Sequence, residues 1–202
     1  VSDVEEIISL GSDIADGAIS FDALIAANIS APTPVEIDPA NLSTIGYTSG
    51  TTGHPKGAMQ SHHAVITNGA MTSQMQMRGA DDCIVSALPC PHVYANVIMM
   101  SMMMFGSKLV LHRAFDVDLA FADITAHKAT IFDGVPAMYM FMVNSPTIKD
   151  ADLSSLTRCY VGGQTMPVAT MEAVETAFKV PLIELWGMTE IAGLGSTHPL
   201  YG

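Results

Sequence analysis

Short apolar segments alternate with segments of helical length between residues 83 and 185, and this alternation limits the fold more than any other feature of the chain. The predicted strands are 83–88, 108–111, 130–132, 158–161 and 181–185. The predicted helices are 94–105, 117–127, 136–143 and one that begins with Pro167. Because strand–helix–strand units form right-handed crossovers, the expected fold class is α/β, a mostly parallel sheet with helices on both faces.

The part of the chain before this alternation is less regular. Residues 1–40 are expected to form a helical and loop lead-in, and residues 41–202 the α/β portion. One loose helical face is predicted in the lead-in from Ile7, Ile8, Leu10 and Ile14. A second short helix is predicted at 21–27. It is followed by a strand at 41–47 and by a helix that Ser61 caps and that runs to about Met75.

The segment 47–57 reads Tyr-Thr-Ser-Gly-Thr-Thr-Gly-His-Pro-Lys-Gly. Its glycines, which allow the backbone to turn and to approach a ligand closely, are Gly50, Gly53 and Gly57. Its aliphatic hydroxyl groups belong to Thr48, Ser49, Thr51 and Thr52. Lys56 is the only Lys or Arg between Val1 and Met77, in a stretch rich in Asp and Glu. Backbone N–H groups, hydroxyls and a lone cation together predict a concave site for phosphate.

This glycine loop fits neither of two common nucleotide-binding signatures. Gly-Lys-Ser/Thr does not stand at the spacing of a Walker A loop, and the loop contains no Gly-x-Gly-x-x-Gly. For a Ser/Thr/Gly cluster taken by itself, a flexible polar surface loop is the alternative interpretation.

Residues 186–190, Trp-Gly-Met-Thr-Glu, follow the last predicted strand. Trp186 offers a flat face on which a heterocycle can stack, Gly187 allows close approach, and Thr189 can donate to a phosphate oxygen. Glu190 is an oxygen ligand of the kind that Mg²⁺ takes together with phosphates and water. For this pentapeptide taken alone, the alternative interpretation is that the Trp packs in the core and the Glu lies on the surface, and neither binds a ligand.

Two further segments follow predicted strands. Residues 162–167 read Gly-Gly-Gln-Thr-Met-Pro, and residues 89–92 read Pro-Cys-Pro-His. Ligands of parallel α/β sheets bind at the carboxyl ends of the strands, so both segments are expected to converge with the glycine loop and residues 186–190 on one edge. His92 is either a substrate contact or a structural residue.

In this order the motifs resemble those of the adenylate-forming (AMP-binding) superfamily, which includes acyl-CoA synthetases, luciferases and carrier-protein adenylation domains. Residues 47–57 match the family's Tyr-Thr-Ser-Gly-Thr-Thr-Gly-x-Pro-Lys-Gly, and residues 186–190 resemble its aromatic-Gly-x-Thr-Glu motif, with Trp where Tyr is usual. Residues 162–167 resemble its Gly-Gly-Ala-Pro-type segment, and residues 89–92 its Pro-x-x-His segment. The resemblance runs from about Asn41 to the end and implies the central part of the family's large N-terminal domain.

The resemblance implies ATP, Mg²⁺ and coenzyme A as ligands, and a carboxylic acid as substrate. The implied phosphate-binding residues are Thr48, Ser49, Gly50, Thr51, Thr52, Gly53 and Lys56. The implied adenine-binding residues are Gly163, Gln164, Trp186 and Gly187, and the implied acyl-substrate residues are Gly162 and His92. Thr189 would contact the α-phosphate and Glu190 would hold Mg²⁺, so that Thr189, Glu190 and Lys56 are the implied catalytic residues.

Two features favour the acyl-CoA synthetase branch of that family. Met188 stands where carrier-protein adenylation domains usually have Pro, and residues 89–92 lack their Phe-Asp-type segment. We therefore expect part of a fatty or related acyl-CoA ligase; a carrier-protein adenylation domain and a non-catalytic nucleotide-binding module are the alternatives. In the family a ribose-binding Asp, a hinge and a lid Lys follow this stretch, so the chain alone is expected to be inactive or nearly so.

Charge and cysteine content limit the partners and the compartment. A formal net charge of −12 argues against a nucleic-acid surface, which requires a basic patch. Three widely spaced cysteines fit reduced thiols in a cytoplasm better than a disulfide framework. No signal-peptide pattern opens the sequence, and the longest apolar run, 93–105, is too short to span a bilayer.

Overall fold

The structure, a computed structural model, describes residues 6–27, 34–49 and 53–200. The chain divides into two compact units, residues 1–37 and residues 38–202. The division of the sequence at residue 40 into a lead-in and an α/β portion stays a prediction. None of the helices in the described ranges is long and apolar enough to cross a membrane.

The first unit contains two short parallel strands and one helix. Strand β1 (Ile8–Ser9) pairs with β2 (Ile19–Ser20), and helix α1 (Phe21–Ala27) follows at once. The predicted helix at 21–27 is confirmed, whereas the predicted helical face from Ile7 to Ile14 is wrong. Gly11 interrupts that segment with a φ of 88°, a left-handed conformation that ends any helix there.

The second unit is built on a six-stranded sheet in the order β10-β9-β8-β7-β5-β6. The strands are β5 (Cys83–Ser86), β6 (Lys108–Leu111), β7 (Ile131–Gly134), β8 (Arg158–Val161), β9 (Leu182–Met188) and β10 (Gly193–Thr197). Strands β5 to β9 pair in parallel and β10 is antiparallel to β9, so the predicted mostly parallel sheet is confirmed. The predicted last strand, 181–185, ends too early, because pairing with β10 extends β9 to Met188.

Helices cover both faces of this sheet, as predicted. They are α2 (His62–Met75), α3 (Val93–Phe105), α4 (Val117–His127), α5 (Pro136–Asn144) and α6 (Val168–Phe178). The Ser61 hydroxyl accepts a hydrogen bond from the Ala64 N–H and caps α2, as the sequence indicates. Pro167 lies one residue outside α6, at its N-cap, rather than at its first position.

Successive residues of the strands point to opposite faces and fill two separate cores. On one face Val85, Phe132 and Cys159 pack with the buried residues of α4, α5 and α6. On the other face Ile84 and Ile131 pack with the buried residues of α3. Burial on both sides explains why these short strands are rich in apolar residues.

A buried ion pair ties the sheet to the segment that follows α2, on this second face. The Arg78 guanidinium donates two hydrogen bonds to the Asp133 carboxylate, at 2.9 and 2.8 Å, and neither side chain is exposed. The Tyr94 hydroxyl donates to the same carboxylate at 2.9 Å. Burial alone would lower the pKa of Arg78, but the charge of Asp133 raises it above its ordinary value, so Arg78 remains charged.

The two strands around the glycine loop form a sheet of their own. Strand β3 (Leu42–Thr48) confirms the prediction at 41–47, and it pairs antiparallel with β4 (Lys56–Ser61), which the sequence analysis did not predict. The glycine loop therefore joins the strands of a hairpin and does not follow a strand of the parallel sheet. The expectation that the loop follows a strand of the parallel sheet is therefore wrong.

Candidate functional site

The strands of the hairpin hold the ends of the glycine loop. Thr48 pairs with Lys56 and Tyr47 with Gly57, and the Thr48 hydroxyl donates to the Lys56 carbonyl at 3.5 Å. Ser49, Gly53 and Lys56 are exposed. Among the described residues the Lys56 ammonium has no partner, so it is available to an anion. The predicted contacts Gly50, Thr51 and Thr52 lie outside the described residues.

The hairpin contacts the segment that contains Thr189. The Gln60 side chain, buried to 4% exposure, donates from Nε2 to the Thr189 carbonyl at 2.6 Å. A Cβ on Gly46 would lie 2.5 Å from the Thr189 methyl group, so only glycine fits there without movement. The strand that begins with Lys56 and the motif that contains Thr189 are about 130 residues apart in sequence. The hydrogen bond from Gln60 to Thr189 brings them together.

The sequence analysis placed residues 186–190 after the last strand, but in the structure they are not a loop. Trp186, Gly187 and Met188 are the last residues of β9, and a short 3₁₀ turn (Thr189–Ile191) leads into β10. Trp186 is 58% exposed, so it is not a core residue. A Cβ on Gly195 would lie 2.4 Å from the Trp186 ring, so the ring packs directly against the backbone of β10 at this glycine.

Glu190 is exposed, and its carboxylate has no partner among the described residues. Within the same part of the chain, no group of three or more His, Cys, Asp or Glu side chains forms a metal cage. Magnesium that binds mainly through phosphates needs only one or two carboxylates, and a free, exposed carboxylate fits that role.

A side chain that the sequence analysis missed holds the turn after Glu190. Asn68 on α2 donates from Nδ2 to the carbonyls of Ile191 and Leu194, at 3.1 and 2.9 Å. Its Oδ1 accepts from the Leu194 N–H at 3.1 Å and from the Thr72 hydroxyl at 3.2 Å. An Asn inside a helix gives no local signal for such a role, because Ile191 and Leu194 lie more than 120 residues away.

A wide cleft of about 570 Å³ lies between the loop after β8 and strands β9 and β10. Its lining includes Gly163, Gln164, Trp186 and Gly187, the four residues predicted to bind adenine. Gly163 has a φ of 85° and Gln164 is exposed, so the loop after β8 turns sharply and presents polar groups to the cleft. An aromatic face beside polar backbone and side-chain groups suits a heterocycle.

A second, narrow cavity of about 40 Å³ adjoins this cleft, with Gly163, Leu185 and Gly187 in both linings. Its wall is largely apolar and includes His92, Val93, Tyr94, Val97 and Leu194. Gly162 is buried beside it; a Cβ there would lie 2.5 Å from the Leu185 side chain. The residues predicted to meet the acyl substrate and the adenine thus lie around two adjoining spaces at the carboxyl ends of β5, β8 and β9.

His92 has a structural role in addition to its place in the cavity wall. Its Nδ1 accepts a hydrogen bond from the Tyr94 N–H at 3.2 Å and caps α3. In the neutral ring this contact requires the proton to be on Nε2, which can then donate to a ligand. Burial and the charge of Asp133 raise the pKa of Tyr94 well above its ordinary value, so the neighbouring phenol stays neutral.

The family described as AMP-binding enzyme matches residues 2–201. The indoleacetate–CoA ligase of Aromatoleum aromaticum is 35% identical over 176 residues, which cover 86% of this chain and 34% of that protein. The long-chain-fatty-acid–CoA ligase of Bacillus subtilis is 28% identical over 171 residues, 83% of this chain and 30% of that protein. The chain belongs to the AMP-binding enzyme family and spans about a third of the length of these curated relatives.

Solved structures of the same fold agree with this assignment. The inhibitor-bound N-terminal domain of FACL13 from Mycobacterium tuberculosis has a TM-score of 0.81 at 27% identity, over 91% of this chain and 46% of that one. ATP-bound MatB from Rhodopseudomonas palustris has a TM-score of 0.80 at 27% identity, over 89% of this chain and 36% of that one. The predicted α/β class and the predicted family are both confirmed.

Proposed function

We propose that the whole protein is an ATP-dependent acyl-CoA synthetase. A carboxylate oxygen attacks the α-phosphorus of ATP, pyrophosphate leaves, and an acyl-adenylate forms. The thiol of coenzyme A then attacks the acyl carbon, and AMP leaves. The names of the relatives support this class of reaction, since they include CoA ligases for indoleacetate and for long-chain fatty acids.

The observation that carries the proposal is the contact between the hairpin and the Thr189 turn. Phosphoryl transfer depends mainly on positioning and on stabilisation of charge. Through the bond from Gln60 to the Thr189 carbonyl, the strand that begins with Lys56 is held against the turn that contains Glu190. This turn directly follows β9, whose exposed Trp186 lines the wide cleft, so the hairpin with Lys56 is joined to the end of a strand that borders the cleft.

The proposed roles follow from these positions. Thr48, Ser49 and Lys56 would contact the β- and γ-phosphates together with the glycine-loop residues outside the described ranges. Thr189 would donate to the α-phosphate, and Trp186 would stack on adenine in the wide cleft. Glu190 would hold Mg²⁺, which neutralises phosphate charge when it is bound. His92 would donate from Nε2 to the carboxylate of the acid at the mouth of the narrow cavity.

The acid is proposed to carry an apolar group that enters this narrow cavity. The prediction of a fatty acyl substrate remains part of the proposal, as does a cytoplasmic location. The largely apolar cavity wall supports an apolar tail in general, since buried apolar surface contributes about 25 cal/mol per Å².

Carboxylate-dependent exchange of labelled pyrophosphate into ATP by the whole protein tests the proposal. Lys56→Ala and Glu190→Ala should each reduce exchange by about 10²-fold or more, because charge stabilisation of this kind is typically worth that factor. Lys149→Ala and Glu172→Ala, which remove the same charges from exposed positions on other elements, are the matched controls and should leave exchange unchanged.

Three outcomes would contradict parts of the proposal. Exchange that survives both site variants undiminished would refute the assigned residues. ATP hydrolysis to ADP without AMP would refute the reaction class. Transfer of the acyl group to a carrier protein but not to coenzyme A would support the adenylation-domain alternative.

A further inference from the structure

A buried glutamine lies in the wall of the narrow cavity. Gln76 follows the last residue of α2 and is 1% exposed. Its backbone carbonyl accepts hydrogen bonds from the Tyr160 hydroxyl at 2.7 Å and from the Arg158 Nε at 3.2 Å. Its position is therefore fixed by strand β8, independently of its own side chain.

The orientation of the Gln76 amide is also fixed. Its Oε1 accepts from the Arg78 Nε at 2.6 Å, and the other guanidinium nitrogens of Arg78 donate to Asp133. Because arginine has only donors, a flipped amide would place N–H against N–H. The amide nitrogen Nε2 must therefore point away from Arg78.

No acceptor among the described residues reaches this nitrogen. Nε2 is buried and has no hydrogen-bond partner there, although nearly all buried polar groups in native proteins have one. The hydroxyl groups of the wall are already engaged: Thr72 donates to Asn68, and Tyr94 donates to Asp133. The remaining lining near it is largely apolar, so an acceptor that enters the cavity would meet Gln76.

We propose that Gln76 selects the acyl group, by donating from Nε2 to a hydrogen-bond acceptor within the part of the substrate that enters the narrow cavity. The inference rests on the proposed function and refines its substrate class. The preferred acids carry a carbonyl, ether or hydroxyl oxygen, or a ring nitrogen, in an otherwise apolar tail. A plain alkyl chain of the same length leaves the buried donor unpaired and is selected against.

Pairs of carboxylic acids that differ only by a keto or ether oxygen in place of a methylene group provide the test. The whole protein is assayed with each pair at several chain positions, and kcat/KM is measured for adenylate formation. At one position the wild-type protein should prefer the oxygen-bearing acid by about tenfold or more, the value of one well-formed hydrogen bond. Gln76→Met should reduce that preference to within about threefold.

Two further variants separate selection from folding. Gln76→Glu keeps an acceptor for Arg78 but replaces the donor nitrogen by an oxygen, so the preference should also fall; the melting temperature of each variant is measured in parallel to show that it is folded. Gln74→Met, a matched change at an exposed position two residues earlier, should leave the preference intact. If Gln76→Met does not fold, the preference of the wild-type protein within each pair of acids and the preference of Gln76→Glu still test the role of Gln76.

The failure of this inference differs from the failure of the proposed function. Absence of carboxylate-dependent exchange with every acid would refute the proposed function itself. Efficient exchange with alkyl acids, with no preference in any pair, would overturn only the role of Gln76. An ordered water would then be the partner of Nε2. A preference for the oxygen-bearing acid that persists undiminished in both Gln76 variants would also overturn the role of Gln76.

Discussion

Replacement of Asn68 by Ala should destabilise the protein and weaken its interaction with ATP. Asn68 joins α2 to the turn between β9 and β10 by donating to the carbonyls of Ile191 and Leu194 and accepting from the Leu194 N–H. This turn contains Thr189 and Glu190, so its position determines where the proposed α-phosphate contact and the proposed Mg²⁺ ligand lie.

The expected loss can be worked from these contacts. A net hydrogen bond contributes about 0.5–1.5 kcal/mol, and a partner left unpaired in a buried position costs about 1–3 kcal/mol. Asn68 makes four such bonds when the one from Thr72 is included, but the side chain is only partly buried and water can reach some partners. We therefore expect the free energy of unfolding to fall by about 2–4 kcal/mol.

Denaturant titration of the whole protein measures this change, and KM for ATP in pyrophosphate exchange should rise in parallel. Asn144→Ala is the matched control, because Asn144 is exposed and its amide donates one bond, to Met140, within its own helix at 2.8 Å. That variant should change the free energy of unfolding by less than about 0.5 kcal/mol. An Asn68→Ala protein as stable as the control, with unchanged KM for ATP, would refute the reasoning.

Three other perturbations test separate parts of the structure. Gly187→Ala should impair folding or ATP use severely, since its Cβ would lie 2.2 Å from a carbonyl oxygen of β10, as melting temperature and exchange activity will show. Arg78→Met should cost about 3–5 kcal/mol in denaturant unfolding, because it leaves Asp133 buried without its partner. Iodoacetamide should alkylate the exposed Cys90 at pH 8 but not Cys159, whose pKa burial raises to about 12, as peptide mapping will show.

Each of these predictions has a control within the chain. Gly79→Ala introduces a Cβ with no neighbour within 4 Å and should have little effect; equal harm from both glycine variants would contradict the steric argument. Lys108→Met removes an exposed cation and should cost less than about 1 kcal/mol. For the thiols, denatured protein should react at both positions, and native reaction at Cys159 would contradict its burial.

The elements that were predictable are those with local signals. Strands buried on both faces are rich in apolar residues, as Cys83 to Val85 and Cys159 to Val161 illustrate, and the Ser61 hydroxyl marks the start of α2. The residues of the glycine loop and of the last motif were chosen as a candidate site because their residue types suit phosphate and Mg²⁺, and their roles stay predictions.

The elements that were missed depend on distant partners. Strand β4 contains Lys56, Gly57 and Gln60 and has no apolar alternation, so only its pairing with β3 makes it a strand. Strand β10, Gly-Leu-Gly-Ser-Thr, likewise exists through its pairing with β9. The roles of Asn68 and Gln60 and the fixed position of the Gln76 backbone rest on contacts across 80 to 130 residues, for which composition and periodicity carry no signal.

The central claim, that this chain forms the nucleotide site of a carboxylate-activating enzyme, is tested most directly in a single turnover. The whole protein is mixed with ATP labelled at the α-phosphate and with a panel of carboxylic acids, and the products are separated. We predict that the label appears in an acyl-adenylate and then, after addition of coenzyme A, in AMP, with unlabelled pyrophosphate released. Label that remains in ADP, with free phosphate as the other product, would contradict it.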